Sequence, residues 1–253
     1  MLELDAASFR VADAVLIEPV SLKLEPGRVH ALIGHNGSGK STLLRLLAGQ
    51  AAPSAGRVLL DGAPLGGWKP RALARRMGFL PQQPPAAPGM LVRELVALGR
   101  YPWHGALGRA GAEDRARIVE AMALTDTAHL AHRAVETLSG GERQRAWIAM
   151  LVAQDAGWLL LDEPISALDL VHQVEVLALV RTLSRDRGIG VVLVLHDVNM
   201  AARYGDEVLA LSKGRLIANI SAHEVMDGAT LSRIYGLPMS VGTVGERRVA
   251  APD

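Results

Sequence analysis

Apolar and polar residues alternate from Val20 to Leu24 (V-S-L-K-L), and Pro26-Gly27 follows. That pattern predicts a strand of an antiparallel sheet with one face exposed, ended by a turn. Val29–Ile33 predicts a short buried strand that runs into a glycine-rich loop. Residues 40–48 (KSTLLRLLA) have helical spacing, with Gly49 placed to cap the end. Val58–Leu60 before Asp61-Gly62 predicts a strand entering a hairpin turn.

The pattern changes at Pro81. The stretch PQQPPAAPGM holds four prolines and predicts a hinge or exposed loop. Beyond it, helical segments are expected near 91–99, 113–124 and 141–154. Strand character returns at Trp158–Asp162 and Val191–His196, with a helix between them. Asp206–Ile220 predicts a hairpin turning at Lys213-Gly214. The expectation is one α/β domain over 1–253, with a helical insert at roughly 84–156 and a C-terminal tail, 238–253, that carries no readable function.

Composition narrows the classes. The chain has 253 residues, 49% apolar and 21% charged, which fits a globular protein with a sizeable core. Lys+Arg of 27 against Asp+Glu of 26 leaves a net charge of +1, which gives no sign of a nucleic-acid partner. The absence of cysteine excludes disulfides, thiolate metal sites and a Cys nucleophile. The longest apolar runs, around Trp147–Ala153 and Val191–Leu195, fall short of the ~20 residues that cross a bilayer. The start carries Glu3 and Asp5 where a secretory leader needs a basic region, so a cytoplasmic chain is expected. Work at a membrane would need another protein to hold it there.

Three segments carry chemistry. Gly34–Ser41 reads GHNGSGKS and fits G-x-x-x-x-G-K-[ST]. Glycines 34, 37 and 39 allow backbone turns that point successive N–H groups inward, toward phosphate oxygens at a helix N-terminus. Lys40 supplies a cation between β- and γ-phosphates, and the Ser41 hydroxyl suits Mg²⁺. The chain has only four lysines, so a chance match is rare. Trp158–Asp162 is an apolar strand ending in Asp162-Glu163-Pro164. Carboxylates there face the ligand crevice of a parallel sheet, Asp162 toward Mg²⁺ and Glu163 as general base for water. An acidic cap on the next helix is the alternative. Leu138–Gln144 reads LSGGERQ and opens a helix. Local chemistry allows a second anion cradle or an ordinary capping box between Ser139 and Glu142.

In this order the segments resemble the ATPases of ABC transporters, over essentially the whole chain. The resemblance implies a P-loop NTPase fold with a RecA-like core, an antiparallel β subdomain and a helical subdomain. It assigns Gly34, His35, Asn36, Gly37, Ser38, Gly39, Lys40, Ser41 and Thr42 to ATP. Gln82, after Phe79-Leu80-Pro81, resembles the Q-loop glutamine, Ser166–Asp169 (SALD) the D-loop, and His196 the switch histidine. Lys40, Gln82, Glu163 and His196 are then catalytic, and Ser41, Gln82 and Asp162 hold Mg²⁺. Ser139, Gly140, Gly141 and Glu142 would act in trans on ATP held by a second copy. Val11 stands where many members carry an adenine-stacking aromatic, and Ile165 where the family usually has Thr.

Within the family, Leu91–Arg109 and Gly140–Gln154 resemble iron-siderophore importer ATPases, especially those for ferric hydroxamates such as ferrichrome. That implies a homodimer on an integral membrane permease at the cytoplasmic face of a bacterial inner membrane, served by a periplasmic siderophore-binding protein, with no nucleic acid. Tyr101, Pro102, Trp103 and His104 read by bulk as a packing loop; the resemblance puts them near the groove where a permease docks. Haem, cobalamin or another metal chelate is the alternative cargo. A DNA- or ribosome-acting member fits less well, because only about 56 residues separate Gln82 from Leu138 and each motif occurs once.

Overall fold

The chain leaves a first folding unit at Gly67 and returns to it at Gly190. The computed structural model describes residues 1–105, 108 and 110–253. Ala106, Leu107 and Arg109, at the end of the Leu91–Arg109 segment, lie outside the described residues.

The first unit is Met1–Gly67 with Gly190–Asp253. It begins with strands β1 (Leu2–Val11), β2 (Ala14–Leu24) and β3 (Val29–Ile33), helix α1 (Lys40–Leu47), and strands β4 (Ala55–Leu60) and β5 (Ala63–Pro64). β2, β1, β4 and β5 form an antiparallel sheet in that order. The alternation expected from Val20 is the second half of β2: Val20, Leu22 and Leu24 are buried, with Ser21 and Lys23 exposed between them.

The second unit, Trp68–Ile189, holds α2 (Pro70–Ala74), β6 (Met77–Leu80), α3 (Val92–Leu98), α4 (Tyr101–His104), α5 (Ala112–Leu124), α6 (Gly140–Gln154), β7 (Trp158–Leu161) and α7 (Leu170–Arg187). β6 and β7 pair in parallel, Met77 with Trp158 through Leu80 with Leu161. α3 and α5 pack on α6. Arg100, almost fully buried, binds the Asp114 carboxylate at 2.8 Å and the Ala153 carbonyl at 3.0 Å. Residues 101–104 are a helical turn rather than the loop read from their bulk. Pro102 is buried, and the Arg75 and Arg100 guanidiniums lie over the Trp103 ring, 5.0 and 4.9 Å from its centre. The Trp103 indole N–H donates to Gln154 O at 2.8 Å.

The chain re-enters the first unit with β8 (Gly190–Val194), α8 (Val198–Tyr204), β9 (Glu207–Ser212), β10 (Arg215–Ser221), α9 (Gly228–Tyr235), β11 (Met239–Val244) and β12 (Arg247–Pro252). β3 pairs in parallel with both β8 and β9, and β10 runs antiparallel to β9. All five residues of β3 and all five of β8 are buried, which explains their near-continuous apolar runs. The exception, His30, is satisfied: its ring nitrogens lie 3.0 Å from Glu207 Oε2 and 2.9 Å from Glu25 O. Lys213 and Gly214, both at positive φ, make the expected β9–β10 turn. Among the described residues, no helix is long and apolar enough to cross a membrane.

Candidate nucleotide site

In the first unit, the loop between β3 and α1 is shaped by its glycines. Gly34, Gly37 and Gly39 have φ of 145°, 77° and 104°. A Cβ on Gly34 would lie 2.2 Å from Leu211 O, so only glycine fits where the loop passes the end of β9. Lys40 opens α1 with its stem buried, and its ammonium donates to Gly34 O at 2.8 Å and His35 O at 3.1 Å. Ser38 Oγ is buried and, among the described residues, has no hydrogen-bond partner. A buried hydroxyl without a partner costs roughly 1–3 kcal/mol. A Cβ on Gly37 would meet nothing within 4 Å, so the loop is open there, beside the α1 N-terminus, where backbone N–H groups suit a phosphate. Ser41 and Thr42 follow as the second and third residues of α1, and Asn36 is exposed on the loop.

His196 lies just beyond β8, and the pairing continues past that strand, with Leu195 N–H donating to Leu32 O at 3.0 Å. The first unit therefore brings the strand leading to His196 beside the strand leading to the phosphate loop. The His196 side chain is exposed.

The second unit assembles the acidic strand end. Asp162 N–H extends the β6–β7 pairing, donating to Leu80 O at 2.9 Å, and its side chain is buried. Glu163 follows at φ 48°, a left-handed conformation that ordinary residues avoid. There its carboxylate accepts a hydrogen bond from Gln82 Nε2 at 2.6 Å. Gln82 is thus a glutamine that meets the acidic strand end.

Ser139 caps α6 and closes a reciprocal box. Glu142 N–H donates to Ser139 Oγ at 3.3 Å, and Ser139 N–H donates to the Glu142 carboxylate at 2.8 Å. These bonds hold the Glu142 carboxyl below the usual carboxylate range, the Ser139 backbone contributing most. The capping-box alternative is therefore realised, and it organises the same loop that would cradle an anion. A cleft of about 520 Å³ adjoins Gln82, Pro84, Gly140, Trp147, Glu163 and Leu168, so the proline loop, the acidic strand end and the α6 N-terminus face one space.

His172, absent from the sequence reading, joins two of these motifs. Asp169 caps α7 by accepting from His172 N–H at 3.0 Å, and the same oxygen lies 2.7 Å from His172 Nδ1. The His172 hydrogen bonds, backbone first, hold Asp169 below its ordinary pKa. The other face of that ring packs on Gly141, where a Cβ would sit 2.3 Å from His172 Cδ2. The D-x-x-H capping spacing was the available signal; the contact with Gly141 comes only from the fold.

A glycine-lined phosphate cradle on a helix, with a carboxylate pair at the end of a parallel strand, defines a P-loop nucleoside-triphosphatase. A model of the ABC transporter family matches residues 17–166, and the chain belongs to that family. It is 42% identical over 226 residues to the achromobactin transport ATP-binding protein of Dickeya dadantii (strain 3937), spanning 89% of this chain and 84% of that one. It is 40% identical over 231 residues to the iron(3+)-hydroxamate import ATP-binding protein of Bacillus subtilis (strain 168), spanning 91% and 86%. It is 46% identical over 226 residues to the hemin import ATP-binding protein of Nocardia farcinica (strain IFM 10152), spanning 89% and 77%. Among solved structures, an inward-facing transporter described as metal-chelate type aligns with TM-score 0.85 at 27% identity, covering 99% of this chain and 96% of that one. A dimeric ATP-binding cassette in a post-hydrolysis state, bound to ADP and Pi, aligns with TM-score 0.75 at 26% identity, covering 88% and 99%. The chain is an ABC-type ATPase, which binds ATP and hydrolyses it to ADP and phosphate.

Proposed function

We propose that this ATPase energises import of ferric hydroxamate siderophores through an integral membrane permease, at the cytoplasmic face of a bacterial inner membrane. The observation that carries the coupling is the Gln82–Glu163 hydrogen bond. It ties the head of the proline loop to the general base for hydrolysis, so a partner that moves the loop changes the base. The cargo class rests on relatives named for achromobactin, iron(3+)-hydroxamate and hemin, and on the likeness of Leu91–Arg109 and Gly140–Gln154 to hydroxamate importers. A periplasmic siderophore-binding protein would deliver the cargo to the permease.

Two copies pack head to tail in this reading. Backbone N–H groups of 34–42 hold the ATP phosphates, and Lys40 leaves its two loop carbonyls for β- and γ-phosphate oxygens. Ser139, Gly140 and Gly141 of the second copy close over the γ-phosphate, so ATP binds best when it touches both cradles. Glu163 accepts the proton of the attacking water, and His196 contacts the γ-phosphate. The oxygen-donor set Ser41, Asp162 and Gln82 suits Mg²⁺. That ion, when bound, neutralises charge on the phosphate oxygens.

The test is uptake of radiolabelled iron as ferrichrome in host cells lacking the gene, with wild type or Lys40→Ala returned and haem and cobalamin uptake run in parallel. Rescue of ferrichrome uptake by wild type alone is the expected result. Ferrichrome uptake that never depends on the gene overturns the hydroxamate assignment, and dependence of haem or cobalamin uptake would replace it.

A further inference from the structure

The C-terminal segment from α9 onward, which includes the silent tail 238–253, folds back on the stretch that carries His196. α9 begins with Asp227 accepting from Thr230 N–H at 2.8 Å and ends at Tyr235, whose hydroxyl donates to His196 O at 3.3 Å. Met239 N–H donates to Ser232 Oγ at 3.0 Å, which ties the start of β11 to α9. β12 then returns so that Ala250 exchanges two hydrogen bonds with the Asn199 side chain. Its N–H donates to Oδ1 at 2.8 Å, and its carbonyl accepts from Nδ2 at 3.1 Å. Asn199 is only three residues past His196, and Asp197 between them caps α8 by accepting from Asn199 N–H at 2.7 Å. Two anchors from the C-terminal segment therefore grip the turn from β8 to α8, one on the His196 carbonyl and one just beyond it.

We propose that α9 and the β11–β12 hairpin position the switch histidine, with Tyr235 as a positioning residue for ATP hydrolysis and Asn199–Ala250 as the second anchor. The inference rests on reading His196 as the γ-phosphate contact. Without the phenol hydroxyl, the His196 peptide loses a partner on its carbonyl, and the ring it carries loses its aim. Misplacing a reacting group by about 1 Å can lower a rate by up to about a hundredfold. Burial, then the nearby Asp197 charge, pushes the Tyr235 hydroxyl up to about 12, so it stays a donor across the working pH range.

The full chain is assayed as wild type, Tyr235→Phe, Asn199→Ala and His196→Ala. Tyr235→Phe should lower kcat about tenfold while KM for ATP stays within about twofold. Asn199→Ala should lower kcat in the same way. In NMR, the His196 ring signal, assigned by its loss in His196→Ala, should shift in Tyr235→Phe while the other histidine signals hold. Wild-type kcat and an unmoved His196 signal in Tyr235→Phe would overturn the proposal. So would a general shift of all histidine signals with KM raised alongside, which marks simple loss of packing. If His196→Ala itself turns over normally, the reading of His196 falls and the inference with it. If His196→Ala is inactive while Tyr235→Phe and Asn199→Ala are unaffected, only the positioning role falls.

Discussion

Gln82 and Glu163 each lie two residues past the ends of two paired strands, and their side chains meet at 2.6 Å. The register brings them near: Leu80 pairs with Leu161, and each residue of the pair lies two positions further on. Glu163 meets that amide from a left-handed backbone conformation that ordinary residues disfavour. The carboxylate proposed as base thus sits on a left-handed residue and meets one amide from the proline loop.

Removing only the charge of that base separates binding from chemistry. Glu163→Gln keeps the shape and still receives the Gln82 amide through its side-chain oxygen, but it cannot take up a proton. ATP affinity should stay near wild type, and kcat should fall about 10²–10⁴-fold. The variant should accumulate as an ATP-bound dimer in size-exclusion chromatography. Steady-state hydrolysis near the wild-type rate would remove Glu163 from the role of base.

The proposed head-to-tail dimer makes a complementation prediction. Lys40→Ala spoils a chain's own phosphate loop and leaves its α6 cradle intact; Ser139→Ala does the reverse. Each variant alone should be inactive, and Ser139→Ala should cost about 1 kcal/mol in stability through the lost cap. Mixed, they form one complete site per heterodimer, and ATPase activity should reappear. A mixture as inactive as its parts would mean that the cradle does not act across subunits.

The phosphate loop, the acidic strand end and the α6 N-terminus were legible because each is local: a turn, a strand end and a cap need only neighbouring residues. Gln82 could be placed from its position, but its partner required the β6–β7 register. β1 went unread because its alternation breaks at Ala6, which sits at φ 45° where the pairing shifts register. α8 and α9 are short helices opened by the Asp197 and Asp227 caps, too short to write a long apolar stripe. β11 and β12 are exposed along most of their length, so no buried face wrote a period-two pattern into their residues. His172 and Tyr235 act on residues 31 and 39 positions away, which spacing does not reveal.

The His172 ring sets what Gly141 can become. A Cβ at 141 would enter the ring at 2.3 Å, so Gly141→Ala must displace His172 and loosen its bond to Asp169. Overpacking of this kind costs about 1–3 kcal/mol. Gly141→Ala should lower the melting temperature, and His172→Ala in the same chain should restore part of that loss. A pair of effects that simply add would show that the two residues do not press on each other.

Acid stability should depend on the Arg100–Asp114 pair. The bond from Arg100, then the Gly111 N–H, holds the Asp114 carboxyl below the usual carboxylate range. A lowered folded-state pKa means that folding favours the charged form. The contribution is complete above the unfolded value of about 4, shrinks below it, and is gone once pH falls through the lowered native value. Asp114→Asn leaves the Arg100 guanidinium, almost fully buried, without its counter-charge. Breaking such a pair from one side should cost about 3 kcal/mol at neutral pH. In urea unfolding, the gap between wild type and Asp114→Asn should be widest at neutral pH and should narrow progressively below about pH 4. A gap that persists unchanged to pH 3 would assign the loss to packing around Trp103 rather than to the ion pair.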